Sequence, residues 1–345
     1  MQAIVGVTLP FFALVLCGYL GARQRLLPES AVPGLNAYVL YFALPCLLFR
    51  FGSSVPIARL IDPALLGVYA LCSMLVVALA IALTGGPHGV GLRDAAFGAL
   101  VAAFPNSGFM GVPLIAALLG EHAAGPVIGT LLVDFFLTST LCLAIARAAP
   151  RRPRACPAPA AAAGDGESTQ TIGIGATVWR SLCGALTNPL PWAIAAGAIA
   201  GAFDLPLPAW VASIVKLLAD SATPVALFTI GAVLRRAEQH AHARTPLGHY
   251  LPVALIKLFV HPALVLGVGL LARAGGAEVS GFGLTAIVLA AGLPSASNVS
   301  LLAEREGADN GRIARIIMSS TVVAFASFSL LAWALPRWLS GSAGP

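Results

Sequence analysis

Four residues that a bilayer core does not favour stand at the centre of an otherwise apolar stretch. Leu100 to Leu119 is long enough to cross a membrane, yet Pro105, Asn106, Ser107 and Gly108 interrupt it. Proline removes an amide donor and frees a carbonyl one turn back. Lipid can satisfy neither group, so protein or a water-lined cavity must cover the break. An amide and a hydroxyl placed there, beside the first unpaired N–H groups of a half-helix, can hydrogen-bond an anion. Leu284 to Leu302 repeats the pattern with Pro294, Ser295, Ser297 and Asn298 inside an apolar run. Two broken helices in corresponding places point to a secondary transporter's binding site. Asn106 then has two roles open to it, ligand to the substrate or cap on the freed amides. Ser107, Ser295 and Ser297 have the competing role of bonding their own backbone or a neighbouring helix. Asn298, as a buried amide, needs several partners.

Four ionisable residues are candidates for ion coupling. Asp134 stands alone in GTLLVDFFLTST, where a carboxylate must be paired or protonated and commonly marks an ion or proton pathway. The alternative is a structural hydrogen bond to a neighbouring helix. Lys216 and Asp220 are one helical turn apart, a spacing that allows an ion pair. Lys257 precedes His261 by the same spacing. It either attracts an anion or extends its ammonium to the membrane surface, and His261 reads as a packed neutral imidazole. His240, His242 and His249 lack a fourth ligand for zinc, and the six cysteines form no CxxC, so no metal and no cofactor is expected.

The elements that position these residues follow from composition. With 58% hydrophobic and 10% charged residues and a mean hydropathy of +0.89, the chain reads as an all-α polytopic membrane protein. Apolar windows fall at 3–21, 34–52, 64–84, 95–120 and 124–146, then at 185–203, 209–234, 251–272, 279–303 and 313–335. That predicts ten transmembrane helices in two sets of five, the sixth beginning within the amphipathic Val178 to Leu186 segment. The first window follows no basic n-region, so Ile4 to Leu20 reads as a retained helix rather than a signal peptide. Residues 1–147 form the first five-helix unit and 179–345 the second. Between them 148–178, rich in proline, alanine, glycine and charge, reads as a disordered cytoplasmic linker. Its Arg151, Arg152 and Arg154 either fix orientation or meet anionic membrane lipid.

With ten spans, one side of the membrane holds Arg23, Arg25, Arg93, Arg147, Arg151, Arg152, Arg154, Arg180, Arg235, Arg236, Arg244, Arg305, Arg312 and Arg315. The other holds Arg50, Arg59, Arg273 and Arg337. The positive-inside rule makes the first side cytoplasmic and puts both termini outside. The formal charge of +6 is thereby a matter of topology and not a nucleic-acid footprint. The halves also repeat. An offset of 179 residues aligns Pro10 with Pro189, Gly18 with Gly197 and Pro45 with Pro224, where Pro45-x3-Phe49-x2-Gly52 recurs as Pro224-x3-Phe228-x2-Gly231. After an insertion around His240 an offset of 189 aligns Pro63 with Pro252 and Pro105 with Pro294. An odd number of spans per copy inverts the second copy, the architecture that exposes one site alternately to two sides.

FPNSGFMGVPL, together with LPSASNVSLLAE, resembles the auxin efflux carrier family, which includes plant PIN-type carriers and bacterial organic-acid transporters. The similarity extends to ALPCLLFRFG in the second span and TPVALFTIGAVL in the seventh, and the P-N-S/T-x-x-M-G-x-P element is its specific part. It implies a bile-acid-symporter-like fold, with a scaffold part and a transport part whose broken fourth and ninth helices cross at proline. It also implies that Asn106, matching the plant family's asparagine, contacts a substrate carboxylate. After Pro294 the sequence departs from the plant pattern, and bacterial relatives are associated with malonate, malate and similar acids. The resemblance allows a homodimer.

The expected function is alternating-access transport of a small carboxylate across a bacterial inner membrane, with proton or sodium as the coupling ion. Sodium-coupled or uncoupled transport of auxin-like or other monocarboxylates is the alternative, and a ligand-binding membrane sensor is the alternative class. An enzyme is not expected, because neither HExxH nor a Gly-rich phosphate loop is present.

Overall fold

The computed structural model describes residues 2–56, 60–85, 89–149, 186, 188–240 and 246–341, with residues 3, 237, 240, 301 and 336–341 described by backbone alone. The expected linker from residue 150 onward, with Arg151, Arg152 and Arg154, lies outside the described residues, as does most of Val178 to Leu186.

The described chain is helical. Its elements are α1 (Gln2–Arg23), α2 (Ala31–Ser54), α3 (Pro63–Thr84), α4 (Leu92–Ala103), α5 (Ser107–Leu119), α6 (Glu121–Ala148), α7 (Pro189–Ala202), α8 (Ala209–His240), α9 (Leu247–Ala274), α10 (Gly281–Ala291), α11 (Asn298–Arg305) and α12 (Asn310–Gly341). Seven of the described helices are long and apolar enough to cross a membrane, namely α1, α2, α3, α6, α8, α9 and α12, while α5, α7 and α10 are shorter apolar helices. The protein is a multi-pass membrane protein.

Helix starts follow local chemistry. Asp62 caps α3 by accepting from Ala64 N and Leu65 N at 3.0 and 3.1 Å, with Pro63 in the first turn, where its missing N–H costs nothing. Asn188 caps α7 in the same way, just before Pro189, and Ser280 caps α10 through Gly283 N. Three proline positions have a further effect. Pro45, Pro113 and Pro262 each stand two residues after a π-helical turn, at Val39–Ala43, Ser107–Gly111 and Ile256–Val260. Proline cannot donate to the carbonyl one turn back, and its ring displaces that carbonyl, which widens the turn. A fourth π turn, Asp134–Thr138, has no proline behind it.

Helices α4 and α10 form the centre. Every residue from Ala95 to Ala103 is buried, as is every residue from Gly283 to Ala291. A helix apolar and covered on all sides belongs in the interior of a bundle. Helices α1, α7 and α8 instead expose Leu9, Leu16, Trp192, Ile199, Trp210 and Leu217, as lipid-facing helices do.

Glycine allows two close helix crossings. In α1 a methyl added at Gly18 would overlap the Phe228 carbonyl of α8, and one added at Gly231 would overlap the Val15 carbonyl. In α7 a methyl at Gly197 would overlap the Phe49 carbonyl of α2, and one at Gly52 would meet the Ile194 carbonyl. These two crossings use corresponding residues. Each residue of the α1–α8 set maps onto one of the α7–α2 set at the 179-residue offset.

Candidate functional site

The two interrupted segments meet at the centre of the bundle. Helix α4 ends at Ala103, and the chain runs extended through Phe104 and Pro105 before α5 begins. Helix α10 ends at Ala291, and residues 292–297 lead to α11. The two breaks pair through their backbones. Asn106 N donates to Pro294 O at 2.8 Å, Ala296 N donates to Phe104 O at 3.1 Å, and Pro105 and Ser295 form an isolated antiparallel bridge. Each break thus supplies backbone partners that the other lacks, which is the condition for irregular backbone at membrane depth.

The candidate residues at the breaks divide into those paired within the protein and those without a partner. Pro105 and Pro294 are buried in the crossing. The Ser295 hydroxyl donates to Val101 O at 2.9 Å and its N–H donates to the Ser320 hydroxyl at 3.3 Å. Asn106 is 5% exposed, and among the described residues its side-chain amide has no hydrogen-bond partner. Its carbonyl accepts from both Met110 N and Gly111 N, and that double acceptance closes the π turn at the start of α5. Among the described residues the buried Ser107 hydroxyl and Asn298 amide oxygen have no partner, and Ser297 is 5% exposed beside Asn298. Unpaired polar atoms in a dry interior cost about 1–3 kcal/mol each, so such a cluster is suited to a polar ligand.

Next to the crossing lies a second buried cluster, drawn from α3, α6 and α9. Asp134 is fully buried and accepts from the Tyr69 hydroxyl at 3.0 Å and from the Thr138 hydroxyl at 3.4 Å. Lys257, also fully buried, donates to Ala291 O at 2.9 Å and lies 3.2 Å from His261 Nδ1. Asp134 and Lys257 are within Coulombic reach of one another. The Tyr69 and His261 rings are 5.6 Å apart, and His261 Nε2 has no hydrogen-bond partner among the described residues. Because Ala291 closes α10, the Lys257 ammonium sits at the negative end of the half-helix that leads into Pro294. The charge cluster therefore touches the broken helix directly. Burial rules out extension of Lys257 to the membrane surface, the alternative open to it in the sequence.

Lys216 and Asp220 are not part of either cluster. They form the expected ion pair at 2.8 Å, and Arg50 joins Asp220 from α2 at 2.7 Å. All three side chains are substantially exposed. Arg50 and Asp220 border a cavity of about 340 Å³ with Phe51, Pro113, Ala117 and Glu121, between α2, α8 and α5.

A polar cluster at the far end of α4 ties that helix to α6, α9 and α12. Arg147 makes a two-point ion pair with Glu306 at 2.5 and 3.1 Å, and Asp94 accepts from Asp309 N at 2.8 Å. The Arg147 guanidinium holds the Glu306 carboxyl below the usual glutamate range. Arg312, fully buried, donates to Asp94 O and His249 O at 2.7 Å each, in space left by Gly98.

Tyr69 was not singled out from sequence, although a tyrosine in the middle of an apolar span needs a partner for its hydroxyl. That need was the available signal. His261 reads from sequence as a packed imidazole because, apart from Lys257 four residues before it, its neighbour Tyr69 comes from a helix far away in the chain. Among the described residues no group of three or more His, Cys, Asp or Glu side chains is placed to hold a metal ion.

Residues 3–333 match the sequence profile of a family described as "Membrane transport protein". A protein of Rhizobium meliloti (strain 1021) named "Putative malonate transporter" is 30% identical over 335 residues, covering 95% of this chain and 94% of the relative. "Auxin efflux carrier component 8" of Arabidopsis thaliana is 23% identical over 298 residues, covering 76% of this chain and 80% of the relative.

Proposed function

The chain belongs to the auxin efflux carrier family of membrane transport proteins, and from that premise we propose that it carries a small organic anion, a dicarboxylate such as malonate or malate, by alternating access. The observation that carries this reading is the backbone pairing of the two breaks beside the donors of the Asn106 amide and the Ser107 hydroxyl, which have no partner among the described residues. A carboxylate seated there accepts from the Asn106 amide and the Ser107 hydroxyl, and the first N–H groups of α5 add their dipoles. A carboxylate is favoured there over a neutral acceptor, because hydrogen bonds to a charged acceptor are stronger and the α5 dipole adds to them.

Taking α4 with α5 as one crossing and α10 with α11 as another gives ten crossings in two inverted sets of five, divided by the linker at 148–178. The corresponding glycine crossings of α1 with α8 and of α7 with α2 support that symmetry. In this reading α1, α2, α7 and α8 form the scaffold and the remaining helices move with the site. Both termini face the periplasm of a bacterial inner membrane, and the cavity bordered by Arg50 and Glu121 is the approach from that side.

Coupling is assigned to Asp134, Tyr69, Lys257 and His261. Proton uptake by this cluster changes the net charge beside Ala291, and with it the electrostatics of the half-helix leading to Pro294. Proteoliposome uptake of labelled malonate tests this reading. Accumulation driven by an inward proton gradient, without sodium, is expected. Accumulation that needs sodium, or only equilibration, would move coupling away from the cluster. Saturable binding without any uptake would favour a sensor.

A further inference from the structure

A groove of about 360 Å³ lies where α1 ends against α8, outside the site described above. Its walls are Cys17, Leu20, Gly21, Leu26, Leu27 and Phe228, with Gln24 as the polar residue of its lining. Gly21 opens it. With no side chain there, the Phe228 ring is the floor, its Cζ 3.5 Å from the position a Cβ would take. The volume lies within the ~300–1,000 Å³ typical of ligand sites, and the lining is apolar as an acyl chain requires.

The rim is mostly cationic, since the Glu238 carboxylate near Arg23 is already engaged by Arg235 at 2.7 Å and by the Tyr19 hydroxyl at 2.8 Å. Arg23 closes α1, and Arg25 stands between two residues that line the groove, Gln24 and Leu26. Both arginines are exposed, and the Arg25 side chain has no hydrogen-bond or ion-pair partner among the described residues. Its backbone adds an independent sign. Arg25 has φ +60°, a left-handed conformation, while Gln24 N donates to Leu20 O and Leu26 N donates to Gly21 O to end the helix. Where a helix ends on a left-handed residue, glycine or sometimes asparagine usually takes the position, because a larger side chain there is strained. An arginine in its place bears that strain, and its exposed guanidinium, without a partner among the described residues, is open to an anion outside the protein. At the end of a membrane-crossing helix, beside an apolar groove, the anion within reach is a lipid phosphate.

We propose that this groove is a binding site for an anionic phospholipid, with one acyl chain against Phe228, Leu20 and Leu27 and the phosphate held by Arg25 and Arg23. The site sits on the α1–α8 crossing at Gly18 and Gly231, so an occupied groove braces that crossing. The same arginines fall on the side of the membrane that the positive-inside rule makes cytoplasmic, where anionic lipid is met.

Two variants test the site, by native mass spectrometry of retained lipid and by melting in detergent supplemented with phosphatidylglycerol or with phosphatidylcholine of the same chains. Wild type is expected to retain one phosphatidylglycerol in preference to phosphatidylcholine and to melt higher with it. Arg25→Gly removes the charge and the left-handed strain together. It is expected to melt at or above wild type in phosphatidylcholine, yet to lose about fivefold of the phosphatidylglycerol preference. Gly21→Leu fills the groove and is expected to lose the retained lipid of either headgroup. The proposal is overturned if wild type shows no headgroup preference, if Arg25→Gly keeps it, or if Gly21→Leu retains lipid as wild type does.

Discussion

Exchanging Asp134 for asparagine keeps the shape of a fully buried side chain and removes its charge, leaving Lys257 without the only carboxylate that acts on it among the described residues. Lys257 keeps Ala291 O and His261 Nδ1, which hydrogen-bond an ammonium without neutralising it. Asp134 and Lys257 make no direct ion pair, so removing one of these two buried groups within Coulombic reach should cost less than the about 3–5 kcal/mol of a contact pair, here about 2–3 kcal/mol, chiefly as the penalty on the charge left behind. Lys257→Met does the converse, and strands a carboxylate that among the described residues only the Tyr69 and Thr138 hydroxyls serve. The double variant strands neither charge. Its cost is expected to be well below the sum of the single costs, with a coupling of about 2 kcal/mol or more. Thermal melting in detergent reads the cycle. Each single variant should fall by roughly 5–10 °C and the double variant should recover most of that loss. Additive losses would show that the two groups do not neutralise one another, and the assignment of one coupling cluster would fail with them.

Other outcomes follow from the same structure. Gly18→Ala and Gly197→Ala should each destabilise by about 1–3 kcal/mol or more and by similar amounts, because each forces a methyl onto a facing helix backbone. Gly67→Ala, where a Cβ meets nothing within 4 Å, should be neutral or slightly stabilising in the same melting assay. Lys216→Ala and Asp220→Asn should change malonate uptake by less than about threefold, as exposed ion pairs contribute little; loss of transport in either would place the cavity at Arg50 within the binding machinery. Glu306→Gln should lower stability near neutral pH by about 0.5–1 kcal/mol. Since the Glu306 carboxyl is held below the usual range, wild type keeps this contribution above about pH 4.3 and loses it as pH falls through the depressed value. The difference in melting between the two proteins should therefore close in acid.

The breaks were legible in sequence because proline and lipid are incompatible. Pro105 and Pro294 mark them, and the expected interruption of the fourth and ninth windows matches the gaps between α4 and α5 and between α10 and α11. Asp134 was legible for a similar reason, since a carboxylate at that depth has few tolerable environments. The i, i+4 pairing of Lys216 with Asp220 was legible from helical geometry, but Arg50, 170 residues away, was not. Tyr69, Lys257 and His261 share that difficulty. Their meeting with Asp134 depends on the rotation of three helices about their axes, and a uniformly apolar helix such as α3 carries no polar stripe to fix it. The π turns before Pro45, Pro113 and Pro262 had a signal that went unread, because proline inside a span reads first as a kink. Nothing in the sequence separates Ser295, used by the fold, from Ser107, left unpaired; both are serines beside the proline of a break.

Counterflow of labelled malonate into proteoliposomes preloaded with unlabelled malonate tests the central claim most directly, because exchange needs no assumption about the driving ion. Wild type should exchange. Asn106→Ala should exchange at least about tenfold more slowly at low substrate, since a donor hydrogen bond to a charged group is worth about 1.5–3 kcal/mol. Asn106→Asp, which sets a carboxylate against the substrate's own, should not exchange at all. Exchange by both variants at the wild-type rate would contradict the account and move the anion away from the paired breaks.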